Sequence, residues 1–309
     1  MVRYVGKRFL YMLLTLWVII TLTFFLMHLL PGDPFSDIEK LTPEIRQQLL
    51  SNYGLDKPLI FQYFVYLKEL GTGNLGTSMK STGQSVNDIL SGALPISAQI
   101  GAQAATVGIV FGLLLGIIAS LKQNTFADYF TIIFAVIFMA VPSFVIATLL
   151  QYFVGLKLGW FPVARWDRDY ASVLPTLAIA FGQIAFFARM MRASMLDVLG
   201  ADYMMTAKAK GIKPIAVVWR HTIRNAILPV ITFIPTTVLG LITGSLVIEQ
   251  IFAIPGLGKW LVESIYRNDY SITMGLTLVL ATFYIVSLFL VDVLYGFVDP
   301  RIRVAGGKE

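Results

Sequence analysis

The stretch that decides the fold is residues 96–121, ISAQIGAQAATVGIVFGLLLGIIASL, which carries no charged side chain along its whole length. A helix of about 20 apolar residues crosses the hydrocarbon core of a bilayer, and this run is longer than that. Five further uncharged runs lie on either side of it: Phe9–Leu30, Tyr129–Leu156, Ala171–Ala188, Ala226–Ile248 and Tyr270–Val291. They are apolar on every side, whereas a membrane β-strand alternates over about ten residues. Composition agrees: 57% of residues are hydrophobic and 14% charged, against about 25% charged in soluble domains. Mean hydropathy is +0.75. The expected fold class is an all-α polytopic membrane protein with six transmembrane helices.

The formal charge is +6 and the isoelectric point about 9.4. In a soluble chain such a balance would raise nucleic acid as a partner; here topology accounts for it. With the N-terminus placed inside, one side of the membrane receives Arg3, Lys7, Arg8, Lys122, Arg189, Arg192 and the basic segment 208–224. The short loops on the other side are nearly balanced, with Lys157, Arg165 and Arg168 set against Asp167 and Asp169. The positive-inside rule then puts both termini in the cytoplasm of a multi-pass plasma-membrane protein. No nucleic-acid partner is expected. The first run is read as a retained anchor, because LPGDP follows it with no A-x-A cleavage pattern. The chain has no cysteine and only His28 and His221, which excludes disulfides, thiolate catalysis and a metal site on paired histidines. No P-loop, HExxH or nucleophile elbow occurs, so the chain is not expected to be an enzyme.

Organisation follows from these runs: residues 1–30 form a cytoplasmic tip and first span, 31–95 an extracytoplasmic segment, and 96–309 a five-span core. Within 31–95, Thr42-Pro43-Glu44 reads as a helix start. Pro58–Leu70 reads as an aromatic amphipathic helix that either lies on the membrane or receives an extracytoplasmic partner. In the second run Ala104, Gly108, Gly112, Gly116 and Ser120 recur every four residues, a small-residue ridge for close helix packing within the chain or with a second one. In the fifth run Thr232, Thr236, Gly240 and Thr243 make a polar stripe on one helical face, either bonded to their own carbonyls or lining a hydrated path. Pro142 and Pro235 are expected to kink their spans. Asp292 is the one acid seen well inside a span. It is read as a structural partner of Arg189 or Arg192, or alternatively as the proton site of an ion-coupled carrier or channel.

The segment 202–229, DYMMTAKAKGIKPIAVVWRHTIRNAILP, interrupts the apolar pattern. Asp202 suits the cap of a short helix and Gly211 the positive-φ residue that ends it. Pro214 suits the first turn of a second helix. Tyr203, Met204 and Ala207 fall on one face, which describes a compact knob at the membrane surface fit to enter a groove on another protein.

Residues 206–211, TAKAKG, followed by Arg220-His221, Arg224-Asn225-Ala226 and Leu228-Pro229, resemble the cytoplasmic EAA loop of binding-protein-dependent ABC importer permeases. Within that family the B-type subunit of the oligopeptide, dipeptide and nickel permeases is the most similar class. Other signatures of the class stand in order: Leu30-Pro31-Gly32-Asp33-Pro34, residues 53–58 (YGLDKP), residues 254–258 (IPGLG) and Asp299-Pro300-Arg301. The Glu of the family loop falls on Met205 here, and the distance from Gly211 to Leu228-Pro229 is longer than in the general form. The resemblance implies a type I importer permease fold, most similar to peptide importers, in a bacterial or archaeal membrane. It also implies a second homologous permease subunit, two cytoplasmic ATPases that bind ATP and Mg in place of any cofactor in this chain, an extracytoplasmic solute-binding protein, and membrane lipid around the spans. By the same resemblance Tyr203, Met204, Thr206, Ala207, Lys208, Ala209 and Gly211, within a coupling loop at 195–225, would engage the ATPases.

Overall fold

The computed structural model describes residues 2–29, 42–81 and 83–298. The LPGDP segment and Asp299-Pro300-Arg301 lie outside the described residues. Among the described residues helices account for the architecture, with one isolated antiparallel bridge between Thr77 and Ser85. In chain order they are α1 (Val2–Leu29), α2 (Pro43–Asn52), α3 (Leu59–Gly71), α4 (Val86–Leu121) and α5 (Phe126–Ala140). Next come α6 (Ser143–Leu150), which runs into a π-helical turn at Gln151–Lys157, then α7 (Val173–Leu199) and α8 (Asp202–Ala209). The single turn α9 (Pro214–Ala216) continues through a second π-helical turn, Val217–Ile223, into α10 (Arg224–Ile231). The remainder are α11 (Ile234–Ile242), α12 (Leu246–Ile251), α13 (Leu257–Tyr266) and α14 (Tyr270–Val298).

Among the described residues, five helical segments are long and apolar enough to cross a membrane, or six if a bent pair counts as one span. That pair corrects one expectation. Pro142 does not kink the third run; it breaks it, with α5 and the helix 143–157 bent by 101°. Val141 is extended at φ −82° and ψ 123°, as steric clash with a following proline ring demands, and Pro142 then caps α6. The fifth run is likewise discontinuous. Pro235 stands in the first turn of α11, where its missing N–H leaves nothing unpaired, and Gly244 at φ +95° ends that helix.

Two compact units result, Met1–Ile96 with Pro255–Glu309, and Ser97–Ile254. In the first, α14 lies along α1. Arg8 reaches Asp292 at 2.9 Å, and the Tyr4 hydroxyl donates to the Asp292 carbonyl at 3.4 Å. At the other end of α1, Phe24 packs with Tyr63 of α3 and Tyr270 and Met274 of α14. Asp269, fully buried, caps α14 by accepting from the Ile272 N–H, and it also accepts from the Met79 N–H and the Ser78 hydroxyl. Thr42 caps α2 through its hydroxyl, with Pro43 at the first position, as their order in the sequence suggests.

In the second unit the contact between α4 and α7 sets the arrangement. A Cβ at Gly108 would stand 2.4 Å from Gln183 Cβ, one at Gly112 2.6 Å from Phe187 Cβ, and one at Gly116 2.7 Å from Met191 Cβ. Both partners step by four residues in the same direction, so the two helices run parallel with almost no side chain between them. Gly101 meets the Leu241 carbonyl of α11 with even less room. The charges differ from expectation. Asp292 pairs with Arg8, not with Arg189 or Arg192, because α14 lies against α1. Arg192 instead forms a two-pronged bond to Asp128 at the start of α5, and Arg189 points to Met139 Sδ. Nor is Asp292 the only enclosed acid: Asp128 and Glu249 are both fully buried, and Ser97 donates to Glu249 at 2.7 Å.

Gly112→Leu is expected to wedge α4 from α7 and to lower the yield of folded protein in mild detergent sharply; unchanged yield and melting would place that face elsewhere. Removing one partner of a buried ion pair typically loses about 3 kcal/mol, whereas Asp292 and Arg8 are 33% and 40% exposed. Asp128→Ala should therefore lower the thermal midpoint by several degrees more than Asp292→Asn. The reverse order would show that the α1–α14 pair is the one that matters.

Candidate functional site

The knob is built as a short helix folded back on the start of a longer one. Helix α8 begins at Asp202 itself, and the Met204 N–H bonds the Ala201 carbonyl at 2.9 Å. Asp202 is therefore the first helical residue and not the cap. A carboxylate in that first turn still complements the positive end of the helix. Gly211 ends the knob at φ +73°, with open space where a Cβ would go. The requirement there is the backbone conformation, not the room.

The faces of α8 divide differently from the sequence pattern. Met204 and Ala207 are buried, and α8 packs against the π-helical turn 217–223. They hold the knob to its own chain and leave the outer surface to other residues. Tyr203 sits at the rim, where its hydroxyl accepts from Asn225 Nδ2 at 3.3 Å. Thr206 and Ala209 are exposed, and nothing is described of the Lys208 side chain. The apolar surface that remains comes from Met205, Ile215 and Trp219, which are 64%, 65% and 64% exposed. The sequence did carry a signal for these three: large apolar side chains inside a basic, surface-bound stretch have no role in a core.

The π-helical turn has a visible local cause. The fully buried Thr222 hydroxyl bonds the Val217 carbonyl at 3.3 Å, five residues back, the spacing of a π-helix. Beyond it, Ala226 and Val230 of α10 pack into Phe187, Met191 and Met195 of α7. The knob is thus continuous with α10, α10 is seated on α7, and α7 lies against the glycine ridge of α4. Displacement of the knob has a packed route into the membrane-crossing helices.

The polar stripe of the fifth run is not one helical face. Thr232 follows α10, Thr236 and Gly240 belong to α11, and Thr243 sits at its end. The two breaks around α11 divide the set. Each hydroxyl donates to the carbonyl three residues earlier: Thr232 to Pro229, Thr236 to Phe233 at 2.9 Å and Thr243 to Gly240 at 2.7 Å. A Cβ at Gly240 would meet nothing within 4 Å, so the side of α11 bearing it is open.

Residues 108–304 match the family described as the binding-protein-dependent transport system inner membrane component, and residues 1–96 match its N-terminal companion. The chain is 47% identical over 306 residues to the dipeptide transport system permease of Bacillus subtilis, covering 98% of this chain and 99% of that one. It is 38% identical over 305 residues to the oligopeptide transport system permease of Escherichia coli K12, covering 98% and 100%. Among solved structures it is similar to the inward-facing MetNI methionine ABC transporter, with a TM-score of 0.55 at 16% identity over 68% of this chain and 96% of the other. That likeness concerns the fold. An amino acid ABC transporter gives a TM-score of 0.53 over 70% and 94%. A multi-pass chain with a rigidly seated surface knob, matched along nearly its full length, belongs to the inner membrane component family of binding-protein-dependent transport systems, as the permease subunit of an ABC importer.

Proposed function

We propose that this permease forms half of the translocation path of an importer for short peptides and is driven through its knob by two cytoplasmic ATPases. The single observation that carries the reading is the exposed apolar rim of Met205, Ile215 and Trp219 on a knob fixed by Met204 and Ala207. An exposed apolar cluster on a rigid support suits a groove on another protein. Of the residues first assigned to coupling, Tyr203, Thr206, Lys208 and Ala209 lie along the same short helix, and Gly211 sets its exit. Peptide cargo is supported by the names of the two permeases above. The remaining partners are a second, related permease, an extracytoplasmic binding protein, and ATP with Mg held by the ATPases; both termini lie in the cytoplasm.

The path is assigned to the open side of α11, at Thr236, Gly240 and Thr243, with Thr232 at its entry. Their hydroxyls are occupied as donors and keep lone pairs to accept from passing N–H groups. Broken helices suit a membrane interior where they line a hydrated cavity, and the ends of α11 are such breaks. The carrier alternative rested on Asp292. Its ion pair with Arg8 favours a structural role over proton relay.

The docking face is tested with single cysteines, since the native chain has none. Cysteines at 205, 215 and 219 should react with a water-soluble maleimide in ATPase-stripped membranes and be protected in the assembled complex. A cysteine at 204 should stay unreactive in both. Equal reactivity at 205, 215 and 219 with and without ATPases would contradict the assignment. Gly211→Val places a β-branched residue at positive φ, which costs roughly 1–3 kcal/mol, and should lower ATPase association while membrane insertion persists.

A further inference from the structure

At the end of α1 away from Arg3, Lys7 and Arg8 lies a pocket of about 380 Å³, closed by α3, the α2–α3 turn, the loop at 74–79 and the first turn of α14. The inner wall is aromatic: Phe24, Tyr66 and Tyr270. The Tyr66 hydroxyl is buried and has no hydrogen-bond partner among the described residues. Burial pushes this phenol up to about 12, so it stays protonated and is a donor without an acceptor. A buried polar group in that state is disfavoured, and its presence calls for a partner.

The charged side chains around the pocket are Lys57 and Glu69, and His28 lies beside them. Lys57 stands 4.8 Å over the Phe61 ring. Gln62 donates through Nε2 to the Leu55 and Lys57 carbonyls, which turns its Oε1 to His28 Nε2 at 3.2 Å. His28 Nδ1 faces the Phe24 carbonyl at 2.8 Å. The Lys57 ammonium and the free Tyr66 donor thus stand with a single carboxylate, Glu69, around one cavity.

The position of the pocket identifies the source of its ligand. The uncharged stretch of α1 from Phe9 to Leu29 covers about 31 Å at 1.5 Å per residue, close to the thickness of a hydrocarbon core. His28 lies at its far end, which is the level of the lipid headgroups. Helix α3, anchored there by the Tyr63–Thr21 hydrogen bond at 2.7 Å, leaves Ile60, Phe61, Phe64 and Val65 exposed. Such a face suits an interfacial helix. Phe61 and Val65 also line the pocket, so the exposed apolar face and the polar cavity are continuous.

We propose that this pocket holds the headgroup of a membrane aminophospholipid, its phosphate accepting from the Tyr66 hydroxyl beside Lys57 and its ammonium directed toward Glu69. The bound lipid ties α1, α3 and α14 together at the end of α1 that carries His28. It has no part in the peptide path.

The test uses the full-length permease with its co-expressed partner subunits, delipidated in detergent, and Tyr66→Phe. Without lipid the variant should melt at the wild-type temperature or above it, since the change removes only a hydroxyl that lacks a partner. Addition of phosphatidylethanolamine should raise the wild-type midpoint, and Tyr66→Phe should need about tenfold more lipid for the same shift, the loss expected for one charge-assisted hydrogen bond. Lys57→Gln should weaken the response in the same direction. An equal response of wild type and Tyr66→Phe would overturn the proposal. So would an equal shift from inorganic phosphate alone, which would make the site one for a soluble anion.

Discussion

Backbone contact between α4 and its neighbours, with glycine at 101, 108, 112 and 116, is the constraint on which the second unit depends. Inside a bilayer, lipid is as apolar as the side chains, so no hydrophobic effect draws helices together. Association rests on close packing, and packing is closest where one helix has no side chain. Each Cβ added along this ridge would meet a backbone or Cβ atom of α7 or α11, atoms that cannot swing aside. With α7 fixed, Phe187, Met191 and Met195 present a surface for Ala226 and Val230, and α10 is fixed in turn. The π-helical turn then carries the chain to α8, whose Met204 closes the inner side of the knob.

Among the described residues, the fully buried acids sit at helix starts. Asp269 caps α14 and gathers the 78–79 loop. Asp128 accepts from the Asn124 N–H at 2.9 Å before α5 and also holds Arg192 of α7. Glu249, in the helix that follows the break at 243–245, receives the Ser97 hydroxyl of α4. A Cβ at Gly244 would approach the Glu249 carboxylate to 2.6 Å, so glycine is needed there for space as well as for its positive φ. These carboxylates satisfy donors exposed by chain breaks, which a low-dielectric environment makes costly to leave unpaired. Their arrangement is structural.

Much of this was legible in the residues. Uncharged runs longer than a bilayer, the four-residue glycine period and the Gly211 stop are local signals, and each has its counterpart in the structure. The breaks were only half legible. Pro142 and Pro235 mark places where a helix is stressed, but whether a span bends or stops depends on neighbours that satisfy the freed backbone groups. The division of the knob was hidden for a related reason. Tyr203, Met204 and Ala207 share a helical face by spacing, but the π-helical turn of the next helix decides how much of that face is covered, and Thr222 gave no sequence signal for it. Asp292 illustrates the limit on charges: the sequence pointed to Arg189 or Arg192, and only the packing of α1 along α14 brings Arg8 to it.

The central claim is that motion in this chain is powered through the knob by ATP bound elsewhere. Its most direct measurement is uptake of a labelled short peptide into proteoliposomes holding the permease with its partner permease, ATPases and binding protein. The account predicts accumulation that requires ATP and continues at the same rate when a proton ionophore collapses the pH gradient. Accumulation driven by a pH gradient without ATP, and abolished by Asp292→Asn, would contradict it.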